Sequence, residues 1–462
     1  MTMRARKMLA VLVTLLLTAL AVATPLDDYV AKPDASYTYS LVKTIDHPLG
    51  KIHMIDMKSQ TWRSEKEVNR TLWQHWVTII IPNGVTADTA LLWINGGSNR
   101  STPPSGPDGM LTQIALQSQT VVVDLKTVPN GPLVFSDDPG NQRTEDAIIA
   151  YTFDKFVKTG DGSWPLLLPM VKSAVRAMDT VQDFVPKATD GKLKINRFVV
   201  SGGSKRGWTT WLTAAVDKRV RAIAPAVIDV LNMDEQMRHH FAAYGFYSTA
   251  IQDYQDLNVF SRLDTPEGQK LVGFVDPYEY RDRYTMPKFL LNSAGDQFFL
   301  PDSAQFYFKD LPGSKYLRYH PNTDHGLKDS DADKVLLAWY TAILADRELP
   351  QFSWQIGVQG CMTVTTKTRP TQATLWTATN PDARDFRLET IGKAWKGSPL
   401  TGTERGTYQV QVPAPEKGWT AYFVELTFDS GTPAPYRFST EVRVVPDTLP
   451  HADRLKAAAN AK

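Results

Sequence analysis

A single cysteine, Cys361, stands in 462 residues. One thiol excludes an intrachain disulfide and any cysteine-based metal knuckle. Charge of one sign is also missing: 51 Lys and Arg face 49 Asp and Glu, for a formal net charge of +2, and no long run of like charge occurs. Such a chain carries no basic face for a nucleic acid. Only eight histidines occur, and none falls in a metal-ligand spacing, so no metal is expected. Beyond the first residues there is no apolar run long enough to span a bilayer.

What is present begins with MTMRARKMLAVLVTLLLTALAVATP. Arg4, Arg6 and Lys7 precede an apolar run over residues 8–20, and Ala21-Val22-Ala23 has the small-x-small form of a cleavage site. This predicts a signal peptide over 1–23 and an exported protein, periplasmic or secreted; a retained signal anchor is the alternative. An exported chain without disulfides must rely on the size of its core, and 42% hydrophobic residues supply a large one. Cys361, in the alternating stretch SWQIGVQGCMTVTT, reads as a small buried hydrophobe.

Residues 36–82 are rich in β-branched and aromatic residues and read as strands. TALLWING and TVVVDLK continue them around a glycine- and serine-rich loop. Helical spacing then appears in RTEDAIIAYTFDKF and in LPMVKSAVRAMDTVQDFVP, which Pro186 is expected to end. INRFVVSG, TTWLTAAVD and VRAIAPAVID alternate strand, helix, strand, which argues for a parallel sheet covered on both faces. The alternation stops over residues 229–284, a helical, aromatic, lid-like insertion, and resumes through MPKFLLNSAGD and KYLRYHPNTDHG to a closing helix, ADKVLLAWYTAIL. From 350 to 447 short alternating runs between Pro, Gly, Asp and Asn predict an all-β sandwich, and 448–462 read as a tail. The expected architecture is a doubly wound α/β domain over 24–349 followed by that sandwich.

The stretch FVVSGGSKRGWTTW runs from a strand through a tight glycine turn into a helix. A serine on such a turn is exposed for nucleophilic attack if its neighbours are small. Gly202 and Gly203 precede Ser204, but Arg206 occupies the usual second glycine position and Gly207 comes one residue later. No phosphate-loop spacing is present, and two cations at a helix start oppose the helix dipole. A serine hydroxyl needs a base and an acid behind that base, which in a sheet of this kind follow in the order nucleophile, acid, base on loops after later strands. Asp296 after FLLNSAG and His325 after YLRYHPNTD meet that order at strand ends. Gly97, in LLWINGGSN, and Lys205 are expected to point backbone N–H groups at the oxyanion, and the Lys205 side chain is a further source of positive charge there.

These residues also carry a family resemblance. LWQHWVTIIIP, LLWINGG, RTEDAIIAYTF, FVVSGGSKRGWTTW, MPKFLLNSAGDQFFLPDS and ATLWTATNPDARDFR resemble the PhoPQ-activated pathogenicity-related proteins, across nearly the whole chain after residue 23. The resemblance implies an α/β-hydrolase domain, a C-terminal β-sandwich and export. The serine turn with a cation after it is similar to that of glucuronoyl esterases. The expectation is a serine hydrolase with Ser204, His325 and Asp296 as triad and no cofactor, acting on a peptide or small ester. Peptidase action at peptide N-termini comes first, on family grounds alone. A carbohydrate or small-molecule carboxylesterase and a secreted signalling or binding protein on a hydrolase scaffold are the alternatives. A peptidase of that kind must hold an amine, for which Glu145 and Asp146 are candidates, although both equally complement a helix dipole. Tyr244 and Tyr247 of the insertion are candidates for substrate contact or for plain packing.

Overall fold

The computed structural model describes residues 23–454. The signal peptide expected over 1–23 lies outside them except for its last residue, and the expected tail lies within them only to 454. The first strands form an antiparallel entry: β1 (Thr38–His47), β2 (Gly50–Thr61) and β3 (Leu72–Pro82) follow a short helix α1 (Pro25–Ala31). β4 (Thr89–Ile94) leads through α2 (Gly109–Ser118) to β5 (Val122–Leu125), which pairs antiparallel with β3 and parallel with β4. A two-stranded pair, β6 (Leu133–Val134) and β7 (Gln142–Arg143), precedes α3 (Glu145–Thr159) and α4 (Leu167–Ala188). β8 (Arg197–Gly203), α5 (Lys205–Val216) and β9 (Val220–Ala226) then alternate, and β10 (Lys288–Ser293), β11 (Lys315–His320) and α9 (Ala332–Leu344) close the series after the insertion.

Across the sheet the order is β2-β3-β5-β4-β8-β9-β10-β11, parallel from β5 onward. Eight strands with the third and fourth exchanged and the second reversed form the α/β-hydrolase sheet. Its strands are buried on both faces: Val199 and Val200 of β8 belong to different core clusters, one on each side. That explains the continuous apolar runs. The long helix α4 buries a full face, including Leu168, Val171, Val175, Met178 and Val185. It runs two residues past Pro186, contrary to the sequence expectation. Proline removes a donor, but the Pro186 carbonyl still accepts from the N–H groups of Thr189 and Gly191 at 3.3 and 2.8 Å, so the last turn closes.

The insertion is helical, as its composition suggested: α6 (Met233–Tyr244), α7 (Gln252–Asp256), α8 (Pro266–Val275) and short 3-10 turns. Asp276 ties its two ends together. This buried carboxylate accepts from the N–H groups of Asn232, Met233 and Tyr278 at 3.2, 2.7 and 2.8 Å. Beyond α9 the chain is β-rich. β12 (Phe352–Ile356), β13 (Cys361–Thr366) and β16 (Thr407–Gln411) make a separate three-stranded sheet, while β14 (Gln372–Asn380), β15 (Lys396–Pro399), β17 (Trp419–Phe428), β18 (Tyr436–Ser439) and β19 (Arg443–Val445) form the other layer. Met362, Val364 and Val410 of the first layer share a core with Val424, Leu426 and Phe438 of the second. The second layer also continues the hydrolase sheet: β18 pairs antiparallel with β11 at Leu317↔Ser439. Cys361 is half-buried, not buried as expected, because Met362 and Val364 take the inward positions of the period-two strand β13.

Candidate functional site

Ser204 stands between β8 and α5 with φ 59° and ψ −130°. A non-glycine residue in that region is strained by about 1–3 kcal/mol. The fold holds it there: the Ser204 N–H donates to the Ala226 carbonyl at 2.9 Å, and its carbonyl accepts from Trp208 N–H at 3.0 Å. Space comes from glycine on both sides. A Cβ on Gly202 would lie 2.8 Å from the Ile94 carbonyl, and one on Gly207 would lie 2.9 Å from the Gly202 carbonyl and 2.7 Å from Ile228. The shifted second glycine therefore does the same steric task one residue later.

Asp296 and His325 meet at a cleft that Ser204 and His325 both line. The His325 Nδ1 lies 2.9 and 3.0 Å from the two carboxylate oxygens of the buried Asp296. The His325 N–H donates to Gln297 Oε1 at 2.9 Å, and Asp296 also accepts from Phe298 N–H at 2.7 Å. Gly295 lets the two loops touch, since a Cβ there would meet the Thr323 carbonyl at 2.5 Å. With Nδ1 committed to the carboxylate, Nε2 is the lone-pair nitrogen; it is buried and has no hydrogen-bond partner among the described residues. It is therefore not bonded to Ser204 here, although both residues line one cleft of about 460 Å³. Catalytic hydrogen bonds of unliganded sites are often open and tighten around substrate.

The remaining candidates fall into three groups. Gly97 has φ +142°, and a Cβ there would crowd Thr127 at 3.3 Å; Lys205 opens α5, where first-turn N–H groups lack intrahelical partners. The Lys205 side chain is not free. Its Nζ lies 3.0 Å from Glu145 and 2.8 Å from Asp146, and Arg206 holds Glu145 at 2.6 Å. Burial pushes the Glu145 carboxyl up, but Arg206 and Lys205 outweigh it and leave the group below the usual carboxylate range. Glu145 itself has φ 50°, a left-handed conformation at the first residue of α3. Tyr244 and Tyr247 line neither cleft at Ser204. Tyr244 is buried against Leu300, and the Tyr247 ring packs at a tilt on Phe260, centroids 4.6 Å apart. Their apolar bodies serve the packing of the insertion.

Sequence reasoning missed several residues. A second, smaller cleft at Ser204 is walled by Trp208, Met233, Met237, Phe298 and Phe299 among others. Met233 and Met237 stand at i and i+4 on α6, a spacing that signals one shared face without saying what it faces. Asp229 was also missed. Wholly buried, it accepts from the phenols of Tyr307 and Tyr319, the latter at 2.6 Å. Burial pushes its carboxyl up to about 7 against those hydrogen bonds, with the nearby Asp296 adding to the rise. Among the described residues no cluster of His, Cys, Asp or Glu could hold a metal ion, and no helix is long and apolar enough to cross a membrane.

The sheet order and the strained serine turn define a protein of the α/β-hydrolase fold. Residues 26–387 match the family described as PhoPQ-activated pathogenicity-related protein, and the chain belongs to that family. Autocrine proliferation repressor protein A of Dictyostelium discoideum is 38% identical over 474 residues, covering 96% of this chain and 94% of the relative. Acetyl xylan esterase 1 from a Thermoanaerobacterium species is 15% identical with a TM-score of 0.48, over 69% of this chain and 91% of that one. Acylaminoacyl peptidase of Pyrococcus horikoshii is 11% identical with a TM-score of 0.40, over 68% and 50%. Likenesses this remote say nothing of what the chain acts on.

Proposed function

We propose that this is an exported serine hydrolase that works through an acyl-enzyme. Ser204 Oγ attacks a carbonyl carbon, and His325 Nε2 takes its proton and returns it to the leaving atom. Asp296 fixes the imidazole tautomer and stabilises its charged form. The N–H groups of Gly97 and Lys205 receive the oxyanion. Water, activated by the same imidazole, releases the acid. The observation that carries this reading is the His325 ring, locked by Asp296 at Nδ1 while Nε2 is left without a partner on the wall of a cleft it shares with Ser204.

The bond is an ester or an amide, and the charge pairing favours the ester. Peptidase action at peptide N-termini is the second reading, supported by Asp146 on the wall of the smaller cleft. An amine entering there has to displace Lys205, which both Glu145 and Asp146 already hold. The third reading, a signalling protein without hydrolytic action, draws on the name of the Dictyostelium relative. A fluorophosphonate probe separates the classes. Covalent labelling that Ser204→Ala abolishes, with the melting temperature unchanged, supports the hydrolase, and the same variant should lose about 10⁶-fold in turnover. Absence of labelling in the wild-type chain overturns the reading. A panel of aryl esters and dipeptide amides then divides esterase from peptidase.

A further inference from the structure

Two clefts meet at Ser204, and only one of them reaches the imidazole. The larger includes His325, Gly326, Leu327, Trp93 and Met110. The smaller includes Trp208, Met233, Met237, Tyr254 and Phe260 but not His325. Phe298 belongs to the smaller cleft and packs its ring on the imidazole, centroids 4.2 Å apart, so it screens the base from that side.

The chemistry of acyl transfer makes this asymmetry informative. The proton taken from Oγ is handed to the leaving atom by the same Nε2, so the leaving group must lie on the imidazole side of the carbonyl. The acyl group lies on the other side. We infer that the smaller cleft is the acyl pocket and that it takes an uncharged, apolar or aromatic acyl group, while the leaving group lies in the larger cleft. This rests on the serine-hydrolase reading above. The bond between the carbonyl carbon and the leaving O or N breaks as the Ser204 ester forms. The leaving atom departs with the proton from His325, and water then yields the free acid and restores the Ser204 hydroxyl.

The smaller cleft presents no unspent charge to its occupant. Its ionic members are Asp146 and Lys205. Asp146 Oδ2 takes Lys205 Nζ at 2.8 Å, Asp146 Oδ1 takes the Tyr254 hydroxyl at 2.9 Å, and Lys205 also holds Glu145. A charged acyl group would lose its hydration there and find each opposite charge already paired. The remaining walls are hydrocarbon, aromatic ring and thioether, the apolar lining expected of a small-molecule site.

The test is a series of 4-nitrophenyl esters: acetate, butyrate, hexanoate, phenylacetate and hemisuccinate. The kcat/KM should rise about tenfold for each added pair of methylenes up to hexanoate. The hemisuccinate should fall about a hundredfold below the butyrate. Met237→Trp should cut the hexanoate-to-acetate ratio about tenfold, while Leu327→Trp leaves that ratio alone and changes the preference between 4-nitrophenyl and 2-naphthyl leaving groups. Inactivation by butanesulfonyl fluoride should outpace methanesulfonyl fluoride about tenfold, which reads the same pocket without turnover. Preference for acetate, equal use of hemisuccinate, or an acyl ratio moved by Leu327→Trp and not by Met237→Trp overturns the assignment. If Ser204 reacts with sulfonyl fluorides but the preference is reversed, only the acyl assignment falls. If Ser204 does not react and no ester turns over, the serine-hydrolase reading falls and takes the assignment with it.

Discussion

Two aspartates follow the same strand, β10, each pairs with a histidine, and the two pairs meet opposite ends. Asp296 holds His325 at 2.9 and 3.0 Å, and Asp302 holds His239 at 3.0 Å. By chemistry and distance they are nearly the same object. The difference lies on the far side of each partner. His325 keeps Nε2 without a partner and lines a cleft that Ser204 also lines, whereas the second carboxylate is shut in by Arg384 at 2.6 Å, and His239 packs on Phe306 at 4.9 Å. The second pair joins the insertion, the loop after β10 and the C-terminal β region. What separates a proposed catalytic dyad from a structural rivet is therefore a free nitrogen, a cleft and a nucleophile, not the pair itself.

The sharpest way to break that contrast is to neutralise each acid. Asp296→Asn leaves the ring in place but favours the wrong tautomer, and turnover of an aryl ester should fall about 10⁴-fold with little change in stability. Asp302→Asn should leave turnover per folded molecule within about twofold. Equal losses in the two variants would erase the distinction. Next in size is Arg384→Met. Arg384 and Asp302 are 2% exposed each, and removing one partner strands a buried charge, at about 3–5 kcal/mol of stability. Urea unfolding checks this, and the folded fraction should keep its activity.

Asp229 sharpens the comparison from a third side, as a buried acid with phenols in place of an imidazole. Its carboxyl is raised to about 7 in the folded chain, against about 3.9 in the unfolded chain. Between those values the folded chain binds the extra proton, so this group's contribution to stability is full below about pH 4 and is lost as pH rises toward 7. Asp229→Asn should flatten that fall, a difference on the order of 3 kcal/mol between pH 4 and 7. Chemical denaturation across that range measures it, and parallel curves for the two proteins would refute it.

How much of this was legible follows from how local each feature is. The serine turn could be read because strand, glycines and helix lie within fourteen consecutive residues, and the hydrolase sheet because its β–α alternation is written in apolar periodicity. Asp296 and His325 could be named because each sits just past a strand end. The ion pairs of Lys205 could not, since Glu145 and Asp146 reach it only once α3 packs beside α5. The acyl-side wall of Met233 and Met237 was hidden for the same reason: helical spacing marks a buried face without naming its neighbour. The continuity of the C-terminal strands with the main sheet rests on a single paired position, Leu317↔Ser439, which leaves no mark in either segment. For Tyr244 and Tyr247 the sequence left substrate contact and packing open, because an aromatic residue in an insertion looks the same in either role.

The smallest expected effect concerns Arg206, which stands where a serine turn of this kind ordinarily has glycine. Its guanidinium lies under the Gly96 backbone, where a Cβ would come within 2.6 Å of it. Nε donates to the Val128 carbonyl at 2.6 Å and a terminal nitrogen to Glu145 at 2.6 Å. Val128 and Thr127 in turn donate to the carbonyls of Asn95 and Gly96 at 3.1 and 3.0 Å. One side chain thus braces the segment that carries Gly97, the proposed oxyanion donor, and the Thr127–Val128 segment bonded to it against α5, which Ser204 precedes. Lysine offers a single nitrogen and cannot serve both acceptors in that planar geometry. Arg206→Lys should therefore lower kcat about tenfold with KM unchanged, because a misaimed N–H costs the transition state and not the bound substrate. Gly96→Ala, which pushes the same guanidinium aside, should reproduce the split. A rise in KM at constant kcat in either variant would reduce Arg206 to packing and remove the physical reason for a cation at that turn.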